Sequence, residues 1–181
     1  MSTKTLLTAE DLWKIVANGN RYELSRGELV PMTPVGFQHS AIVARFGMFL
    51  SSYVTEKRLG IVGMEGGFKL EREPDTLRAP DIHFVSKERL AKEGITQKFA
   101  DYPPDLAVEV LSPEDRPRAL LDKIGEYLQA GVKLVWVIDP ERGAAAVYRS
   151  LTDVGELGSE GTLDGEEVVP GFRCPLQEIL G

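Results

Sequence analysis

Between Gln38 and Lys57 apolar residues return every three or four positions, at Ile42, Val43, Phe46, Phe49, Leu50 and Tyr53. That spacing lines them along one side of a long amphipathic helix, whose stripe is expected to lie on a sheet. Upstream, Thr8-Ala9-Glu10-Asp11 reads as a helix start, with Thr8 as N-cap and acids in the first turn, and the helix is expected to end near Asn18-Gly19. Tyr22–Leu24 and Glu28–Val30 flank Ser25-Arg26-Gly27, the pattern of a hairpin, and Pro31 to Gly36 is a loop. After Gly60 the periodicity changes to short apolar groups at Ile61–Val62, Phe68 with Leu70, Ile82–Val85 and Leu106–Leu111, read together as three successive strands.

A second helix is expected from about Pro113 to Ala130, with Ser112 as N-cap, Pro113 first, Glu114 and Asp115 in the first turn, and Gly131 past its end. Leu134–Ile138 follows, apolar on both faces and therefore suited to the centre of a sheet. Ala144–Tyr148 is expected to pair with it. The turn-rich tail should hold a strand near Val168-Val169 and a short closing helix around Leu176 to Leu180. Helix, hairpin, long helix, three strands, helix, two strands and tail make an α/β sandwich around one mixed sheet.

The 181 residues are 43% hydrophobic and 27% charged, which suits one globular domain over residues 1–181. No apolar run approaches a membrane span, and the opening segment lacks the apolar core of a signal peptide, so a soluble, cytoplasmic protein is expected. Cys174 is the single cysteine and leaves no partner for an intrachain disulfide. Acids outnumber Lys plus Arg by 28 to 21, a formal net charge of −7. That argues against broad phosphate-driven adhesion, but not against a local basic groove or acids held to receive a divalent cation.

Glu109 interrupts the apolar strand around it, between Val108 and Val110. A carboxylate there must be ion-paired, hydrogen-bonded, protonated or bound to metal, unless that face of the strand is partly open, because burying an isolated charge is costly. Asp81 follows Pro80 at the start of the strand Ile82–Val85. Alone it is an ordinary turn signal, but beside Glu109 on a neighbouring strand it offers a second hard oxygen ligand of the kind Mg²⁺ takes.

The stretches "APDIHFV" (79–85), "PPDLAVEVLSPEDR" (103–116) and "DKIGEYLQAGVKLVWVIDP" (122–140) resemble the PD-(D/E)XK nuclease superfamily, and within it the bacterial Uma-two family of restriction-endonuclease-like proteins. The likeness extends from "RYELSRGELV" to "VVPGFRCPLQEIL". It implies a restriction-endonuclease-like three-layer sandwich, with a central mixed β-sheet flanked by helices. It also implies metal-dependent hydrolysis of DNA phosphodiesters with Mg²⁺ or Mn²⁺, no organic cofactor, and Asp81 and Glu109 as the metal-binding acids. The superfamily's lysine, two residues after the Glu, is replaced here by Leu111. Lys123 on the following helix is the candidate for a relocated lysine, since its long stem can reach across a helix diameter. Its alternative is a solvated side chain pairing with acids such as Glu126.

His39, at the start of the long helix, is a further catalytic candidate that could orient water or touch a phosphate; it could equally be a cap. His83, Glu65, Glu28 and Tyr127 could enter the pocket or simply pack. No nucleophile triad or phosphate loop is present in the sequence pattern. A homodimer is expected of a nuclease that cuts both strands of a duplex. The rival expectation is an inactive endonuclease-like fold that binds nucleic acid or oligomerises, favoured by Leu111 and by the net negative charge.

Overall fold

The computed structural model describes residues 6–17, 19 and 21–181. The first helix, α1 (Ala9–Val16), is capped as its sequence requires: Thr8 Oγ1 accepts from the Asp11 N–H at 3.2 Å, and the Asp11 carboxylate accepts from the Thr8 N–H at 3.1 Å. Asn18, part of its expected end, lies outside the described residues. β1 (Tyr22–Ser25) and β2 (Glu28–Pro31) form the expected hairpin, with Gly27 in the left-handed region at φ 77°.

α2 (Phe37–Lys57) buries Ile42, Phe46, Leu50 and Val54 against the main sheet, as its stripe requires. It ends on Arg58 in the left-handed conformation, leading into β3 (Gly60–Gly63). The next segment departs from expectation. Instead of three strands in one sheet, β4 (Phe68–Glu71) and β5 (Thr76–Arg78) turn away and join the hairpin in a second sheet ordered β2-β1-β5-β4. Strands of three or four residues with a charged member, such as Thr76-Leu77-Arg78, carry too little periodicity to announce themselves.

β6 (Ile82–Ser86) and β7 (Leu106–Val110) return to the main sheet, separated by a short helix, α3 (Lys87–Glu93), that the apolar pattern did not indicate. α3 starts on Ser86, whose hydroxyl accepts from the Arg89 N–H. The helix expected from Pro113 starts later, as α4 (Pro117–Gln129). Ser112 instead closes a turn with Asp115: its N–H donates to the Asp115 carboxylate at 2.7 Å and its carbonyl accepts from the Asp115 N–H at 3.0 Å. Arg116 is extended at φ −93°, ψ 124°, as a residue before proline prefers, and Pro117 takes the first helical position.

β8 (Leu134–Asp139) pairs in parallel with β7 and antiparallel with β9 (Ala144–Tyr148), which in turn pairs with β10 (Val154–Leu157). The six-stranded order β10-β9-β8-β7-β6-β3 makes the sheet mixed and puts β8 inside it, as its two apolar faces indicated. Leu134, Trp136 and Ile138 face α2, where Trp136 stacks on Phe46 at 5.7 Å between ring centroids. Val135 and Val137 share the opposite face with Ala107, under Ile124 and Tyr127 of α4. Helix, sheet and helix thus make three layers.

Val168 and Val169 form no strand; they sit in a turn closed by Gly165 and Phe172, between β11 (Thr162–Asp164) and β12 (Arg173–Pro175). The closing helix α5 (Leu176–Leu180) is present. No helix among the described residues is long and apolar enough to cross a membrane.

Candidate active site

β6 and β7 are antiparallel, with Ile82 opposite Val108 and His83 opposite Ala107. One step beyond the paired residues, Asp81 sits at the end of β6 beside the Glu109–Val110 end of β7, where Glu109 shares its face with Ala107. That face is the one covered by α4. The Asp81 carboxylate closes the corner: its Oδ2 accepts from the Val110 N–H at 2.7 Å and lies 3.2 Å from His39 Nε2, which reaches across from the first turn of α2.

Glu109 is 7% exposed, so the strand does bury its acid. Lys123, about two turns into α4, brings Nζ to 2.9 Å from both Glu109 oxygens, and Tyr127, one turn later, donates its hydroxyl to Oε1 at 2.7 Å. The spacing of four residues sets lysine and tyrosine on one face of the helix, above the strand. Of the sequence candidates, Asp81, Glu109, Lys123, His39 and Tyr127 therefore converge.

His83 does not join them by any hydrogen bond. Its ring packs edge-on against Phe68 at 4.7 Å, wedged so tightly beside Gly63 that a Cβ there would lie 2.5 Å from His83 Nε2. Burial pulls its imidazole down to about 4 and keeps it neutral. Glu65 is in a bend rather than a strand, half-exposed and paired with Arg21 at 2.7 Å, and Glu28 is exposed on β2.

Two buried groups complete the cluster and were not anticipated. Glu23 of β1 is 4% exposed; it accepts from Arg78 at 2.8 Å and from the Ala79 N–H at 2.8 Å, and lies 3.2 Å from Lys123 Nζ. Arg78 of β5 also bonds to Glu126 of α4, which takes the Ser25 hydroxyl at 2.8 Å. The signal was available: Glu23 interrupts Tyr22 and Leu24 as Glu109 interrupts two valines. What was missing was a reason to bring the hairpin to the sheet.

The charges explain one another. Burial raises the Glu109 carboxyl to about 7, with the charges of Asp81 and Glu23 adding to the rise and Lys123 and Tyr127 opposing it. Burial also works against a charged Glu23, but Lys123, Arg78 and the Ala79 N–H outweigh it and hold that carboxyl below its ordinary value. Lys123 is disfavoured by burial, yet its two carboxylates raise it, so the ammonium persists. The Asp81 hydrogen bond raises His39.

Three carboxylates (Glu23, Glu109, Glu126) thus hold two cations, Arg78 and Lys123, with Asp81 close enough for its charge to act on Glu109. The Asp81 side chain is 18% exposed, and no hydrogen bond among the described residues reaches its Oδ1. Asp81 and Glu109 are hard oxygen donors of the kind a divalent cation takes, and both Glu109 oxygens meet Lys123 and Tyr127. Among the described residues no group of three or more His, Cys, Asp or Glu could hold a metal ion. The residues that would hold an ion here are two carboxylates, Asp81 and Glu109.

A mixed sheet between helices, with acids and a lysine gathered at the β6–β7 corner, is the architecture of a nuclease-like fold. The family model described as "Putative restriction endonuclease", Uma2, matches residues 9–177, and the chain belongs to that family. A crystal structure from Anabaena variabilis, titled as a putative nuclease belonging to DUF820, superposes with a TM-score of 0.83 at 19% identity; the match covers 96% of this chain and 97% of that one. No curated protein matches the chain.

Proposed function

We propose that this protein is a divalent-metal-dependent endonuclease acting on DNA, with Asp81 and Glu109 holding Mg²⁺ or Mn²⁺ and Lys123 and His39 completing the site. The observation that carries the reading is the position of Lys123 Nζ, 2.9 Å from Glu109 on the face that Asp81 borders. The cation absent at Leu111 is supplied from α4 instead. A lysine on a helix packed over the strand sits beside the acid at 2.9 Å, fourteen residues away in the chain.

The bound ion would supply a Lewis acid for the phosphoryl oxygen. The chain's own residues do the rest. Asp81 is pinned by the Val110 N–H through Oδ2, which leaves Oδ1 for the ion. Lys123 stabilises negative charge that develops on the phosphate, in a site where burial strengthens the interaction. His39, raised by its bond to Asp81, is a proton donor within reach of the same rim. Glu23 and Arg78 act behind these residues, Glu23 by holding Lys123 and Arg78 by holding Glu23. Cutting both strands of a duplex calls for two such sites, which a two-fold homodimer provides.

The test is incubation with linear, circular and single-stranded DNA in Mg²⁺ or Mn²⁺ beside the Glu109→Ala variant, together with calorimetric titration of Mn²⁺ into wild type and Asp81→Ala. Cleavage lost in Glu109→Ala and a Mn²⁺ site lost in Asp81→Ala support the proposal. Cleavage that persists in Glu109→Ala would overturn the site.

One feature favours a second reading, in which the fold serves as a nucleic-acid-binding or oligomerising module. Both Glu109 oxygens already have partners in Lys123 and Tyr127. That reading predicts no Mn²⁺ binding to wild type.

A further inference from the structure

β3 (Gly60–Gly63) forms one edge of the six-stranded sheet and pairs with β6 alone. Two bonds fix which way its main chain points. The Lys87 N–H donates to the Leu59 carbonyl at 2.8 Å, and on the far side of β6 the Asp105 N–H donates to the Phe84 carbonyl at 2.8 Å. Main-chain groups of an antiparallel strand alternate between its two edges, so Ile61 bonds to Val85, while Gly60 and Val62 turn their N–H and C=O groups away from β6. No hydrogen bond among the described residues reaches them on that side.

Open edges invite pairing, and proteins guard them with charged residues or proline. Here β10 carries Glu156, β2 carries Glu28 and Pro31, β4 carries Lys69 and Glu71, and both strands of the small β11–β12 pair are charged as well. β3, Gly-Ile-Val-Gly, has neither guard, and Ile61 within it is 42% exposed. The helix over this edge is almost uncharged too. From Phe37 to Thr55 the one Lys, Arg, Asp or Glu is Arg45, which turns to the tail and donates to the Ile179 carbonyl at 3.2 Å. Gly47, on the opposite flank of α2, lies against the residue that follows β3: a Cβ added to it would sit 3.2 Å from Met64 Sδ. Helical spacing sets Ser40, Ala44 and Ser51 on that same flank, where small side chains let a second helix come close.

We infer that two copies of this chain pair edge to edge through β3, antiparallel about a two-fold axis at Ile61, with α2 of one copy beside α2 of the other. In that register Gly60 of each copy faces Val62 of the other through about four main-chain bonds in all, and the two Ile61 side chains cover each other. The occupant follows from charge. A second copy brings the same net charge of −7, so it lands without repulsion only where the surface carries no charge, whereas a basic partner would select an acidic surface. The strand ends agree: Arg58 precedes β3 and Glu65 follows it, so antiparallel copies set a basic end against an acidic one. The inference rests on the nuclease reading for the expectation of a pair and adds the surface on which the pair meets.

Sedimentation velocity over a concentration series reads the state of the full chain, and circular dichroism checks its fold. Wild type should be a dimer. Ile61→Lys sets two ammonium groups directly across the axis and should weaken association by roughly 10- to 100-fold. Ala44→Glu, a charge in the helix seam, should weaken it as well. Ile61→Cys should link two copies by a disulfide under mild oxidation, because directly opposite residues that exchange no main-chain bonds have Cα atoms about 4.5 Å apart, within disulfide reach. Wild type, whose one cysteine is the buried Cys174, should stay unlinked. Ile61 and Ala44 are both exposed, so neither substitution opens the core.

A wild type that sediments as a monomer throughout, which leaves the edge to some other protein, would overturn the inference. So would a dimer that Ile61→Lys leaves intact or that Ile61→Cys fails to link. Glu109-dependent cleavage judges the nuclease reading apart: a monomer that cuts keeps that reading and loses this surface, and a β3-paired dimer that cuts nothing does the reverse.

Discussion

Asp105 sits at the start of β7, 1% exposed, and anchors the strand that carries Glu109. Its carboxylate accepts from the Ser86 N–H at 2.9 Å and from Arg89 at 2.9 and 3.2 Å, and lies 3.2 Å from Lys133 Nζ. Burial alone would raise this acid, but the Arg89 and Ser86 hydrogen bonds and the Arg89 charge win and lower it from 3.8 to about 2. The gap is about 1.8 units, and at about 1.36 kcal/mol per unit it amounts to about 2.4 kcal/mol of stability. Because the folded-state value is the depressed one, the contribution is complete well above pH 3.8 and is lost as pH falls towards 2. At pH 3 about half should remain. Asp105→Asn removes the charge and keeps the shape, so urea unfolding at pH 7, followed by tryptophan fluorescence, should show it less stable by about 2–3 kcal/mol. The difference between variant and wild type should shrink to about half near pH 3. A variant as stable as wild type at pH 7, or a gap of the same size at both pH values, would refute the argument.

Three further outcomes follow from the same structure. Lys123→Met should destabilise the fold by about 3–5 kcal/mol in chemical unfolding, because it leaves buried Glu109 and Glu23 without their shared cation; a loss under 1 kcal/mol would mean that Lys123 is not the keystone of the cluster. Tyr127→Phe removes a buried hydrogen bond and should cost about 1–2 kcal/mol. In carbon-13 NMR titration it should also move the Glu109 carboxyl further up, since the tyrosine hydroxyl is one of the groups holding it down. Phe46→Ala should cost about 3–5 kcal/mol by opening a cavity against Trp136 and Phe172, measured as a shift in the urea midpoint.

Periodicity and local chemistry are carried by neighbouring residues, and the parts of the protein that depend on them are legible in the chain alone. The stripe of α2 shows because Ile42, Phe46 and Leu50 recur at the helical interval, and β8 shows because Leu134–Ile138 is apolar on both faces. Glu109 stands out because an acid between valines contradicts its surroundings. Asp81 stands out as an acid opening the strand after Pro80 beside Glu109, while its nuclease role and the candidacy of Lys123 come from resemblance to the nuclease family. The start of α4 is misplaced by sequence because Ser112-Pro113 has the chemistry of a cap, while the turn between Ser112 and Asp115 and the extended Arg116 use it otherwise.

The second sheet, and with it Glu23 and Arg78, could not be read in this way. A strand such as β5 is three residues long and gains its identity from partners distant in the chain, Leu24 among them. Nothing in Thr76-Leu77-Arg78 records that pairing, because the free energy of a buried ion network belongs to groups brought together from separate segments and to none of them singly. The chain by itself determined which residues want burial and which acids would be costly to bury. Only the tertiary structure decided that α4 returns over β7, so that Lys123 meets Glu109, and that the hairpin docks beside them, so that the lysine is shared by two carboxylates.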